Sequence, residues 1–213
     1  MSAEEAAAIE RAIGALETRF GIEIVAAIVP RADGYPEIPW RAFALGASVA
    51  ALAALAIDIG RPDWMSAQAL LLQALTILGV ACLTGGLAHF WPPFARLFLG
   101  SLRAKGEVRQ CADTMFLSRE LFATPRRDAV LVLVSAFERR VIVLPDVSHR
   151  GRVSAVEWET VVDRMTPLLR NGRIGDAFNA GLSAIDVLLA SKDVGQARGA
   201  NTLRDTFVRG DAP

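Results

Sequence analysis

Ala42-Phe-Ala-Leu-Gly-Ala-Ser-Val-Ala-Ala-Leu-Ala-Ala-Leu-Ala-Ile57, flanked by Arg41 and Asp58, carries no charged residue. It is slightly short of the roughly 20 apolar residues that a spanning helix needs, but Arg41 can snorkel and the end residues can lengthen the span. Only Asp58-Ile-Gly-Arg-Pro-Asp63 separates it from a second such stretch, which from Trp64 to Ala95 holds no Lys, Arg, Asp or Glu. Residues 66–90 of that stretch would cross a bilayer, and Pro92-Pro93 ends the helix. Trp40, Trp64 and Trp91 stand at the ends of the two stretches as interfacial anchors. Charge-bearing amphipathic sequence lies on both sides. The chain therefore reads as a transmembrane helical hairpin set inside a soluble domain, with a buried hairpin in a soluble protein as the lesser alternative.

Composition divides the same way. Apolar residues make up 53% of the chain, and the excess sits in the hairpin, which leaves about 150 residues, enough for one independently folding domain. The net charge is zero, so nothing suggests nucleic acid, whose binding proteins usually show a basic face. Met1-Ser-Ala-Glu-Glu5 lacks the basic start and apolar run of a secretory signal. Arg31 and Arg41 precede the hairpin and Arg96, Arg103, Lys105 and Arg109 follow it, whereas the turn holds Arg61 alone. By the positive-inside rule both termini and the soluble domain face the cytoplasm, in an inner or cell membrane crossed twice. Cys82 in the second span and Cys111 in a later helix are too separate in context for a structural disulfide.

Outside the hairpin, Ala6, Ile9, Ile13, Leu16 and Phe20 share one face of a helix over 2–20, with Ser2 and Glu5 in a capping-box pattern and Gly21 as its end. Ile22–Val29 follows as a mostly buried strand. Phe94, Leu97, Phe98 and Leu102, interleaved with Arg96, Arg103 and Lys105, predict a helix lying on the membrane surface, broken at Gly106. A helical stripe then runs from Val108 to Phe122. Ala129–Ser135 and Arg140–Leu144 are strands joined by Ala136-Phe-Glu-Arg139, a connection short enough to require an antiparallel hairpin. Helices over 155–169 and 174–190 are separated by Asn171-Gly172-Arg173, with Gly172 as a left-handed cap.

This order predicts an α/β fold, with a small mixed sheet covered by helices. The first strand joins the second by a crossover that contains the membrane hairpin, where a long insertion costs little closure entropy. Residues 1–37 form the first part of the domain and 38–92 the hairpin, with helices over about 40–59 and 66–90. Residues 93–190 supply the interfacial helix and the remainder of the domain, and 191–213 form a polar tail expected to be disordered.

At this point the chain resembles the TPM domain family, also labelled TPM phosphatase. The resemblance rests on Glu23-Ile-Val25, Asp33-Gly-Tyr35 and Phe122-x-Thr124-x-x-Arg127-x-x-Val130-Leu131. It continues through Ser135-x-x-Glu138-Arg139-x-Val141, Asp146, Trp158, Asn171-Gly172, Gly181 and Ala184-Ile185. It covers about 120 residues outside the hairpin and tail. The resemblance implies a three-layer α/β/α sandwich. In several members it implies a bound calcium or other divalent ion, in some an acid-phosphatase activity, and in the best understood ones an accessory role at membrane complexes. Familiar members sit outside the cytoplasm on a terminal helix; here the anchor is internal and the charge pattern points inward.

The residues offer little catalytic pattern of their own. Cys111-Ala-Asp-Thr-Met-Phe-Leu117 lacks the Gly-rich phosphate loop of a cysteine phosphatase, and Pro145-Asp146-Val-Ser-His149 is a partial echo of an aspartyl-phosphate site. Asp128 opens the second strand and Asp146 leaves the third, so an antiparallel pair brings them to one end, where they either ligate a hard cation or act as turn residues. No motif demands a cofactor; calcium or magnesium at Asp128 and Asp146 is the candidate. Arg127, Glu138, Arg139 and His149 make a candidate binding surface for phosphate or an anionic headgroup. Gly46, Ala50 and Ala54 on the first span, and Ala74, Gly79 and Gly86 on the second, offer small residues for close helix packing, with each other or with a further copy. The expected function is that of a membrane-held binding or accessory factor whose partners are the bilayer and a membrane protein. A weak metal-assisted acid phosphatase and an anionic lipid-binding module are the alternatives.

Overall fold

The computed structural model describes residues 3–60, 66–192 and 208–209, and the chain divides into two compact units, one of residues 1–33 with 104–213 and one of residues 34–103.

The first unit is a three-layer α/β/α sandwich. Helix α1 (Ala3–Phe20) ends where Gly21, at φ 63°, donates its N–H to the Glu17 carbonyl at 2.7 Å. Strand β1 (Glu23–Val29) pairs in parallel with β2 (Ala129–Ser135), and β2 pairs antiparallel with β3 (Arg140–Pro145). Both β1 and β2 are buried along their whole length, as expected of continuous apolar runs covered on two faces. The alternate residues separate cleanly. Ile24, Ala26, Ile28, Val130, Val132 and Val134 face a core shared with α1, α6 (Ala155–Arg170) and α7 (Ile174–Ser191). Val25, Ala27, Val29, Leu131 and Leu133 face Val108 and Ala112 of α5 (Ser101–Ser118).

Capping chemistry fixes the helix ends. Ser154 and Glu157 form a reciprocal capping box at the start of α6. Gly172, at φ 75°, closes α6 with its N–H on Leu169 O at 3.0 Å, and Arg173 N–H reaches Leu168 O at 2.9 Å. A two-residue strand β4 (Val208–Arg209) lies parallel to β1, giving the order β3-β2-β1-β4. Two residues of the segment expected to be a disordered tail are therefore strand; 193–207 and 210–213 lie outside the described residues.

The second unit contains α2 (Glu37–Gly60) and α3 (Ala67–Phe90), packed on each other as a hairpin. On α2, Ala42 and Gly46 are buried, Ala50 and Ala54 half-buried, and Asp58 accepts a bond from Gln73 of α3 at 2.6 Å. A Cβ on Gly46 would stand 2.1 Å from Thr84 Oγ1, so only glycine lets the helices approach there. The small stripe expected on α2 is therefore the contact face. On α3 the contact runs through Ala81, Gly85 and Ala88, because these positions share the face that meets α2, whereas Gly79 and Gly86 have open space beside them and Ala74 is exposed.

Among the described residues, three helices are long and apolar enough to cross a membrane: α2, α3 and α7. Trp40 and Trp91 are 72% and 52% exposed, one at the start of α2 and the other just after α3. Trp64 and the Arg61 turn lie outside the described residues. After α3 the chain forms α4 (Pro92–Ala95) and a 3₁₀ turn (Arg96–Phe98). The helix break expected at Gly106 falls instead at Leu99-Gly100, where Leu99 turns extended; α5 runs through Gly106, since a lone helical glycine costs only about 1 kcal/mol.

Candidate functional site

The strand register sets Asp146 opposite Ala129: the Asp146 N–H donates to the Ala129 carbonyl at 2.8 Å, and Ser148 N–H to the Arg127 carbonyl at 3.1 Å. Asp128 and Asp146 therefore do come to one end of the β2–β3 pair. Each carboxylate is already engaged. Arg127, held at φ 54°, grips Asp146 with two parallel bonds of 2.9 and 3.1 Å, and Asp146 also caps the Val147 N–H at 2.7 Å. Arg126 Nε meets Asp128 Oδ2 at 3.0 Å and its other end donates to the Gly21 carbonyl. Burial pushes the Asp146 carboxyl up, but the bonds from Arg127 and Val147 and the adjacent Arg127 charge outweigh it and hold it below the ordinary value. The bonded Asp146 in turn raises the Arg127 guanidinium.

As arranged, these residues do not fit a divalent cation. An ion at Asp128 and Asp146 would have to displace both arginines, and no group of three or more His, Cys, Asp or Glu side chains suited to a metal occurs among the described residues.

His149 is 2% exposed, and one ring nitrogen, Nε2, lies 2.9 Å from the Asp128 carbonyl. A carbonyl only accepts, so Nε2 carries a proton. The other ring nitrogen, Nδ1, and the Trp158 Nε1 are buried without a hydrogen-bond partner among the described residues, their rings edge to face at 6.0 Å.

The surface expected of Arg127, Glu138, Arg139 and His149 does not form. Arg127 and His149 stand at one end of the strand pair and Glu138 and Arg139 at the other, roughly 20 Å apart at 3.3 Å per residue. Glu138 and His149 are buried. Glu138 accepts the Ala32 N–H at 3.0 Å on one oxygen and the Ser135 hydroxyl on the other, locking the β2–β3 turn to the loop after β1. Arg139, at φ 51°, donates to the Arg170 carbonyl at 2.6 Å and so caps the end of α6.

A concavity lies beside β3. β3 is an edge strand, and a groove of about 820 Å³ runs along it, walled by α5 on one side and α6 on the other. Its basic lining residues are Lys105, Arg109, Arg139, Arg140, Arg150 and Arg170; its acidic ones are Glu138, Glu159 and Asp163. Beyond Pro145 it adjoins a recess of about 450 Å³ lined by Phe116, Leu117, Phe122 and Val147. Sequence reasoning missed this groove because its walls come from three distant segments; the one local signal was Pro145 at the end of an otherwise β-branched run.

The family model of the TPM domain matches residues 99–188. Among solved structures, the chain is similar to the NMR structure of BA42 protein from the psychrophilic bacterium Bizionia argentinensis. The two are 14% identical over 99% of this chain and 95% of that chain, with a TM-score of 0.59, a likeness that concerns the fold alone. No curated protein sequence matches the chain.

Proposed function

We propose that the chain, whose residues 99–188 match the TPM domain model, is an integral membrane protein acting as a binding and accessory factor for membrane complexes. One observation carries the proposal: the outward faces of α2 and α3 are aliphatic, with Leu52, Leu72 and Leu83 61–70% exposed. An apolar face of that extent is unfavourable in water by about 25 cal/mol for each Å² and is solvated by lipid. α2 and α3 are then the two spans, while α7 sets its apolar residues against α1 and α6. Arginines and lysines flanking the hairpin put both termini and the sandwich in the cytoplasm.

The state of the carboxylates favours binding over hydrolysis. A nucleophile or general base must be free to meet the substrate, and Asp128 and Asp146 are each tied to an arginine. The partners are the bilayer and a membrane protein. Chemical crosslinking in native membranes, followed by purification of the chain, should recover a defined membrane complex, and the purified chain should leave a generic phosphoester intact. Phosphoester hydrolysis that disappears in Asp146→Ala, with no complex recovered, would make the chain an enzyme instead.

A further inference from the structure

The exposed side of β3 has a definite hydrogen-bonding pattern. In an antiparallel pair, opposed residues alternate between bonded to each other and turned away. The bond from Asp146 N–H to Ala129 O marks that pair as bonded, and with Leu131↔Leu144 and Leu133↔Ile142 in register, Leu144, Ile142 and Arg140 point their main chain at β2. Val141, Val143 and Pro145 therefore present theirs outward. Pro145, which has no N–H to give, occupies one of the positions where none is owed to β2. Among the described residues no strand pairs with that edge, and β4 lies at the opposite end of the sheet.

An open edge invites a strand, and the groove beside it specifies which kind. Basic side chains outnumber acidic ones in the lining, and Glu138 is turned away onto Ser135 and Ala32. Lys105, Arg150 and Arg170 have no ion-pair partner among the described residues. Past Pro145 the recess beside Leu117, 64% exposed, and Val147, 46% exposed, is apolar and large enough for one aromatic or long aliphatic side chain.

We propose that β3 and the groove between α5 and α6 receive an extended acidic segment of a partner protein as an added strand, with a large apolar side chain seated in the recess beyond Pro145. The added strand bonds the N–H and C=O of Val141 and Val143, its carboxylates face Lys105, Arg150 and Arg170, and its apolar residue covers Phe116 and Leu117. This deepens the accessory reading and rests on it, since it names the chemistry by which a membrane complex would be held.

The test uses the full chain in detergent micelles and a fluorescein-labelled peptide of alternating glutamate and valine ending in phenylalanine, read by anisotropy. Two further peptides carry N-methyl groups on one or the other alternate set of amides. Binding should survive one methylated set and weaken about tenfold or more with the other, the effect of losing two main-chain bonds. Lysine in place of glutamate should abolish it, Arg150→Glu should weaken it, and added salt should weaken it further. Equal binding of both methylated peptides, no binding at all, or a concentration-dependent dimer that pairs β3 with β3 and excludes the peptide would each overturn the proposal. If the double variant Lys105→Glu, Arg150→Glu still recovers the membrane complex on crosslinking, the accessory function stands and the groove is not its site. If the wild type recovers none, the accessory reading itself fails.

Discussion

Arg127 shows how one residue can serve fold and chemistry together. Its left-handed backbone turns the chain into β2, its guanidinium neutralises the buried Asp146, and its guanidinium carbon lies over the Phe122 ring at 5.9 Å from the centroid. Arg127→Ala should destabilise the domain, because it leaves the buried Asp146 carboxylate without its ion-pair partner. The pH dependence has a definite sign. Asp146 is held below its ordinary value in the fold, so the stability it contributes is present above the unfolded carboxylate range and is lost as pH falls through the lowered value. A carbon NMR titration of the Asp146 carboxyl should find its midpoint below the ordinary carboxylate value in the wild type. In Arg127→Ala burial acts with less opposition and the midpoint should move up; an unmoved midpoint would mean that Arg127 does not hold Asp146. This pairing was not legible in the sequence. Arg126-Arg127-Asp128 and Asp146 were visible as charges, but which carboxylate meets which arginine depends on a strand register that only the folded hairpin fixes.

At the scale of elements the periodic segments were legible and the irregular ones were not. Ala129–Ser135 is a strand over the residues its β-branched run specifies, and the 155–169 and 174–190 helices gain one residue each at the C-terminal end, where helix boundaries are soft. The 94–105 segment went differently, because a 3₁₀ turn and an extended Leu99 interrupt what looks like one amphipathic helix. Close packing supplies a sharper test. A Cβ on Gly181 of α7 would stand 2.5 Å from the Met165 sulfur, and Met165 is fully buried, so any shift of its side chain must be taken up inside the core. Gly181→Ala should therefore destabilise the domain by about 1–3 kcal/mol through overpacking, against the usual gain from replacing a helical glycine. Denaturant unfolding checks it: an unchanged or raised midpoint would show that α6 and α7 do not meet at this glycine. The α6–α7 contact has an exposed clasp as well, Lys192 to Glu157 at 2.6 Å, which with the Ser154 bonds draws the Glu157 carboxyl down to about 2.

Over the whole molecule, two segments far apart in sequence, 3–33 and 104–192, build one sheet with a core on each face, and a helical hairpin leaves and returns between β1 and β2. That layout was readable from the alternation of charge-bearing and charge-free sequence, because apolar runs of this length have few other physical uses. The binding groove was not readable, because it exists only once β3 is known to be the edge and α5 and α6 are known to flank it. The proposed membrane role requires lipid as the solvent of α2 and α3. Single nitroxide labels at Leu52 and Leu75, read by electron paramagnetic resonance after reconstitution into bilayers, should collide readily with oxygen, which dissolves in lipid, and rarely with a water-soluble nickel chelate. Collisions dominated by the nickel chelate at both positions would place the hairpin in water and overturn the proposed membrane role.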